Sequence, residues 1–171
     1  MTMKTIPEIM VPLLATIRTK DERDNLREQV KELEATLFRA DPKGIENVLR
    51  SRFSETTAGA MRKILARAEL KDNPAALRAF FQELKDVLDQ MLLLKVSLAF
   101  TPTEDMFDKL HEWTQKNLGV GVVTDISFDR SMLGGARIIF GGKYKEMTLA
   151  QMITDVLKKE EPQIRELIKI K

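Results

Sequence analysis

Apolar residues recur every three to four positions through the first half of the chain and every second position in the stretch that follows. Leu26, Val30, Leu33 and Leu37 fall on one stripe, which predicts a helix over 21–39. The stripe lasts less than two heptads, so it reads as a bundle helix, with an intermolecular coiled-coil seam as the alternative. Pro7 and Pro12 divide the start, leaving one helix that begins near a proline or two short pieces between 6 and 17. Residues 40–44, with Pro42 and Gly44, predict a turn. Ile45, Val48, Leu49 and Phe53 give a short amphipathic helix. Thr56 or Thr57 is expected to cap the next, with Met61, Ile64, Leu65 and Ala68 inward. Asp72 precedes a restart at Asn73, a good N-cap, and Pro74, a good first helical residue. Leu77, Phe80, Phe81, Leu84, Leu88 and Met91 then form a long apolar stripe.

Near Leu92 the period switches. Leu94, Val96, Leu98 and Phe100 alternate with Lys95, Ser97 and Ala99, so a strand begins. A helix follows, with Thr103 as cap, Glu104 and Asp105 at its positive end, and Met106, Phe107, Leu110 and Trp113 on one face. Gly119 and Gly121 end it. Strands are expected over 120–128 and 136–140, punctuated by Gly134-Gly135, where positive φ or close backbone approach excludes a side chain. Gly141-Gly142 before Lys143 reads as a hairpin turn or strand end. Thr148 is expected to cap a last helix with Leu149, Met152, Ile153, Val156 and Leu157 inward. Pro162 is expected to interrupt that helix before a basic amphipathic tail over 164–171. The fold expected is α+β: an all-α bundle over 1–91, then a small βαββα domain over 92–171, its three-stranded sheet covered by two helices. No Gly- or Ser-rich linker separates the halves.

Composition narrows the function. The chain has 171 residues, 43% of them hydrophobic, and its 28 basic and 26 acidic residues leave a net charge of only +2. So even a balance argues against nucleic acid or an anionic membrane as partner. There is no cysteine, which removes disulfides, thiolate nucleophiles and Cys-ligated zinc. No apolar run reaches spanning length and no signal peptide is evident, so a cytoplasmic, soluble protein is expected.

Catalytic chemistry is thinly represented. His111 is the sole histidine, without a metal-binding companion or a nucleophile motif. No phosphate-binding glycine loop occurs. Asp125 and Asp129 flank the second strand, but nothing supplies the pocket a general acid–base pair needs. No catalytic, metal-binding or cofactor-binding residue is assigned. Between 50 and 71 the basic residues Arg50, Arg52, Arg62, Lys63, Arg67 and Lys71 outnumber Glu55 and Glu69. That stretch reads as a solvated face or as a surface for an acidic protein, with Arg62, Lys63 and Arg67 as candidate contacts. A single aromatic, Phe53, lies there, too few for stacking on nucleic acid.

The order of a hydrophobic strand, Asp129, two residues, Met132-Leu133-Gly134-Gly135 and a second hydrophobic strand resembles the C-terminal signature of the delta subunit of F-type ATP synthases, called OSCP in mitochondria. The resemblance covers about 94 to 157, with Glu146 and Thr148 standing where the family has Asp and Ser. The family's opening Tyr-Ala-x-Ala-Leu helix has no counterpart here, and fewer helices are expected than in the family's bundle. The resemblance implies a non-catalytic subunit without cofactor that joins the catalytic head to the peripheral stalk and resists rotor torque. It implies alpha subunits as partners of the helical half, b subunits as partners of the C-terminal half, and a position on the inner face of the membrane, peripheral through the complex. Met132 and Met147 are candidate contacts, with core filling as the alternative. A V/A-type ATPase stalk subunit, favoured if the 26–37 stripe forms a dimeric seam, and an unrelated α+β adaptor are the other readings.

Overall fold

The computed structural model describes residues 6–38, 44–67, 69–70 and 73–169, apart from the side chains of residues 157 and 163–169. Of the turn expected over 40–44, residues 40–43 lie outside the described residues and Gly44 already belongs to the following helix; inward Ala68, Asp72, the end of the tail and the side chain of Leu157 also lie outside them. The fold is α+β, with seven helices and a four-stranded mixed sheet among the described residues.

Five helices make the first half: α1 (Val11–Leu14), α2 (Lys20–Thr36), α3 (Gly44–Arg52), α4 (Glu55–Leu65) and α5 (Pro74–Gln90). Helix α2 opens with a full capping box: the Thr19 hydroxyl accepts from the Glu22 N–H, and the Glu22 carboxylate accepts from the Thr19 N–H. Leu26, Val30 and Leu33 are buried and Leu37 packs beside them in the chain's own core. The stripe is therefore a bundle face and not an intermolecular seam. Helix α4 is capped by Ser54, which accepts from the Thr57 N–H at 3.3 Å, and not by Thr56 or Thr57. Asn73 caps α5 through Oδ1 to the Ala76 N–H at 3.1 Å, with Pro74 in the first turn. The whole α5 stripe is buried, and Val87 joins it.

The second half is β1 (Leu92–Leu98), α6 (Glu104–Leu118), β2 (Val122–Phe128), β3 (Gly135–Phe140), β4 (Lys143–Thr148) and α7 (Leu149–Lys169). The strand order is β2-β1-β3-β4; β1 and β2 run parallel across the α6 crossover, and the other pairs are antiparallel. One expectation changes: a fourth strand extends the sheet, so the module is βαβββα. Gly134-Gly135 stands between β2 and β3, which β1 separates in the sheet, and Gly141-Gly142 forms the expected hairpin turn, both at positive φ, as its tight geometry requires.

Alternation splits β2 between two cores. Val122 joins Leu94, Val96 and Leu98 under Leu110 and Leu118 of α6. Val123 points the other way and is buried in the core of the helical half, where Leu93 and Val120 also pack. Helix α6 is rotated from expectation: its buried residue is Thr114, while Trp113 is 52% exposed. Thr103 holds the cap position without a side-chain cap bond.

Helix α7 departs most. Thr148 caps it as expected, accepting from the Gln151 N–H at 3.2 Å. Its supposed inner face, however, is open: Leu149, Met152, Ile153 and Val156 are all exposed, Met152 at 61%. The helix also continues through Pro162 to Lys169. Proline there removes only one ladder bond, and the turns on either side carry the helix onward.

Candidate interaction surface

The residues of the signature build one turn. At the end of β2 the Asp129 N–H donates to Leu98 O at 2.8 Å, tying the turn to β1. Asp129 Oδ1 accepts from both the N–H and the hydroxyl of Ser131, at 2.9 and 2.6 Å. Its Oδ2 accepts from Arg137 Nη1 at 2.9 Å. These hydrogen bonds, from Ser131 first and with Arg137 adding, hold the Asp129 carboxyl below the usual carboxylate range. Met132 is buried, at 7% exposure, whereas Leu133 stands out at 74%. Gly134 O accepts from the Leu149 N–H at 3.0 Å, so the turn also seats the start of α7.

Gly135 has φ 92°, and a Cβ there would lie 2.0 Å from Met147 O. Both conditions admit only glycine, and the close approach is what lets β4 pair with β3 at this end.

Across the hairpin, Glu146 gathers the neighbouring polar groups. It accepts from the Tyr144 hydroxyl, from Thr148 Oγ at 2.9 Å and from Arg137 Nε at 3.4 Å. These bonds, led by Tyr144, hold the Glu146 carboxyl below its usual range and push the Tyr144 hydroxyl up. Arg137 thus links the two carboxylates: Asp129 of the turn and Glu146 of β4.

The same half of the chain carries most of the large exposed hydrophobic side chains. Among the described residues every large exposed hydrophobic except Phe38 falls between Phe100 and Val156. On the sheet Ile139 and Tyr144 lie exposed on one face, while on the other Met147 is exposed beyond Ala136, Ile138 and Phe140, which pack on the sheet's own core; α7 adds Met152, Ile153 and Val156. Phe38 itself lies under the Arg78 guanidinium, 4.3 Å from the ring centroid. An apolar surface of this extent marks a site of interaction. Lys95, Arg130, Lys143 and Lys145 border it, and among the described residues none has an ion pair; Arg130 instead lies 5.7 Å over the Phe128 ring.

The basic stretch of the helical half is less open than its composition implies. Arg62 and Arg50 both bind Glu46 at 2.9 Å, and Arg52 binds Glu32 at 3.1 Å. Lys63 and Arg67 remain exposed without an ion pair among the described residues. Of the methionines, Met147 is at the surface and Met132 is not. Trp113 was expected inward on α6 and is instead exposed, and the exposed Ile139 and Tyr144 carry no motif that marks a contact. His111 is half-buried, its Nε2 3.2 Å from Ala15 O, in the junction between the halves. Two crevices of about 280 and 400 Å³ flank that junction, lined chiefly by charged and hydroxyl side chains.

The sequence profile of the ATP synthase delta (OSCP) subunit matches residues 28–159, well over half of the chain. The chain belongs to this family. It is thus a peripheral-stalk subunit of ATP synthase, and the family is one of non-catalytic, structural subunits. The match reaches back through most of the helical half, beyond the stretch from 94 where the resemblance is legible by motif. Residues 1–27, where the family's opening motif is missing, lie outside it. No curated protein matches the chain. No helix among the described residues is long and apolar enough to cross a membrane.

Proposed function

We propose that this delta/OSCP-family chain joins the catalytic head of an F-type ATP synthase to its peripheral stalk and resists rotor torque. The helical half seats segments of the alpha subunits, with Lys63 and Arg67 among its contacts. The C-terminal half holds the ends of the b subunits on β3–β4 and α7, with Met147 in the contact. The assembly lies at the inner face of the membrane, to which the chain is peripheral. The observation that carries this reading is the uneven distribution of exposed apolar surface, nearly all of it beyond residue 99. Such a surface takes an amphipathic helix, which buries its own apolar stripe in return. The unpaired lysines around it favour acidic positions flanking that stripe.

Burial of the 26–33 stripe in the chain's own core leaves the V/A-type alternative without its dimeric seam.

Purification of the tagged chain from detergent-solubilised membranes tests the proposal. Alpha and b subunits are expected to co-purify. Val156→Asp is expected to release b while alpha remains. Recovery of the intact chain with no ATP synthase subunit overturns the reading.

A further inference from the structure

We propose that Arg18 is a positioning residue that fixes the angle between the helical half and the sheet, making the two halves one rigid body. It lies N-terminal to the residues that match the family profile, so this lock is a property of the chain's own opening segment.

Three kinds of contact cross the junction. The first is covalent: α5 ends at Gln90 and β1 begins at Leu92, with Met91 buried between them. The second is apolar, through Val123 in the helical core. Neither one sets an orientation, because a single backbone connection swivels and apolar contact is non-directional.

The third is directional: beside the single His111 Nε2–Ala15 O contact at 3.2 Å, it converges on one residue. Arg18 O accepts from both the N–H and the hydroxyl of Thr124, at 3.1 and 2.9 Å. Thr19 forms a parallel bridge with Thr124, so the segment before α2 adds itself to the open edge of β2. The Arg18 guanidinium meets Glu22 through Nε and Nη2, at 3.1 and 2.9 Å. Through Nη1 it meets Asp108 of α6 at 2.8 Å and Glu104 at 3.5 Å. Glu22 is already held by the capping box and accepts from the Arg18 N–H at 2.6 Å. One planar fork therefore spans α2 and α6 while its own carbonyl holds β2. A guanidinium makes such a multi-point bridge with fixed relative angles; an ammonium does not. With bonds to three elements in different directions, both hinge bending and twisting at residue 91 must break at least one of them.

The chain contains no cysteine, so two introduced thiols are the only labelling sites. Glu83→Cys on α5 and Lys143→Cys on β4, both at exposed positions, carry spin labels for distance measurement in the full chain. The otherwise unmodified chain is expected to give one narrow distance distribution. Arg18→Ala is expected to broaden it at least twofold, and Arg18→Lys to give an intermediate width. Asp108→Asn is expected to broaden it too, leaving the α2 cap intact. It decides the matter where Arg18→Ala fails to fold. A broad or bimodal distribution in the doubly labelled parent overturns the proposal. So does an unchanged width in the folded variants, even with a lowered Tm, because that is the signature of a residue that only adds stability.

Discussion

The two halves of the chain finish their hydrophobic surfaces differently. In α2 and α5 each apolar stripe is closed by a neighbour within the chain, from Leu26 to Leu33 and from Leu77 to Leu88. In β4, in α7 and at Ile139 of β3 the equivalent residues remain open. The same amphipathic pattern thus serves two ends, a core in one half and a contact surface in the other. Periodicity says that a face is apolar; it does not say whose atoms cover it.

The sharpest way to break this contrast is to make matching deletions on each side. Phe81→Ala, in the closed core, is expected to cost about 3–5 kcal/mol, read by denaturant unfolding. Gly135→Ala comes next, because it combines a left-handed backbone with a Cβ 2.0 Å from a carbonyl oxygen. A loss of about 2–4 kcal/mol is expected, with exchange protection falling first in β3 and β4. In the opposite direction, Gln115 Nε2 is buried with no hydrogen-bond partner among the described residues. Gln115→Leu should stabilise the chain by about 1 kcal/mol, seen as a raised Tm.

Acid offers a subtler separation. Asp129 and Glu146 carry carboxyls held below the usual range, so the unfolded chain binds protons there more readily than the folded one. Their contribution is full above the ordinary carboxylate pKa of about 4 and is lost as pH falls through the lowered folded values. The Asp129→Asn, Glu146→Gln double variant should therefore show a shallower loss of stability with acid than the unmodified chain. An identical acid slope contradicts the assigned network. The smallest expected effect is the most telling for the comparison. Val156→Ser is expected to change stability by under about 0.5 kcal/mol. Beside Phe81→Ala, it measures how far α7 stands outside the core. A cost of several kcal/mol at Val156 would erase the distinction.

Much of this architecture was legible because long apolar stripes leave few alternatives. Asn73-Pro74 announced α5, and the change of period near Leu92 marked the helix-to-strand transition to within two residues. Family membership was readable from Asp129, Met132-Leu133 and Gly134-Gly135, an ordered set of residues that stands together in one short stretch of sequence. Strand β4 was not legible, because Lys143-Tyr144-Lys145-Glu146 shows no apolar alternation when the strand is open on both faces. The rotation of α6 was hidden as well, since Thr114 takes the buried position by bonding back to Leu110 O at 2.7 Å. Nor did any pattern identify Arg18, whose partner Asp108 lies 90 residues away in sequence. A contact of that kind is a product of the finished packing. The candidate surface was legible only as a supply of apolar residues; which of them stay outside is decided by the absence of a neighbour in space.

Strand β4 ends the sheet with an unpaired backbone, the kind of margin onto which a second polypeptide can crystallise as an added strand. Lys143 and Lys145 sit along that margin two residues apart. Two copies meeting there would bring like charges together before any ladder formed. Lys143 and Lys145 thus guard this open margin against fibrous self-association.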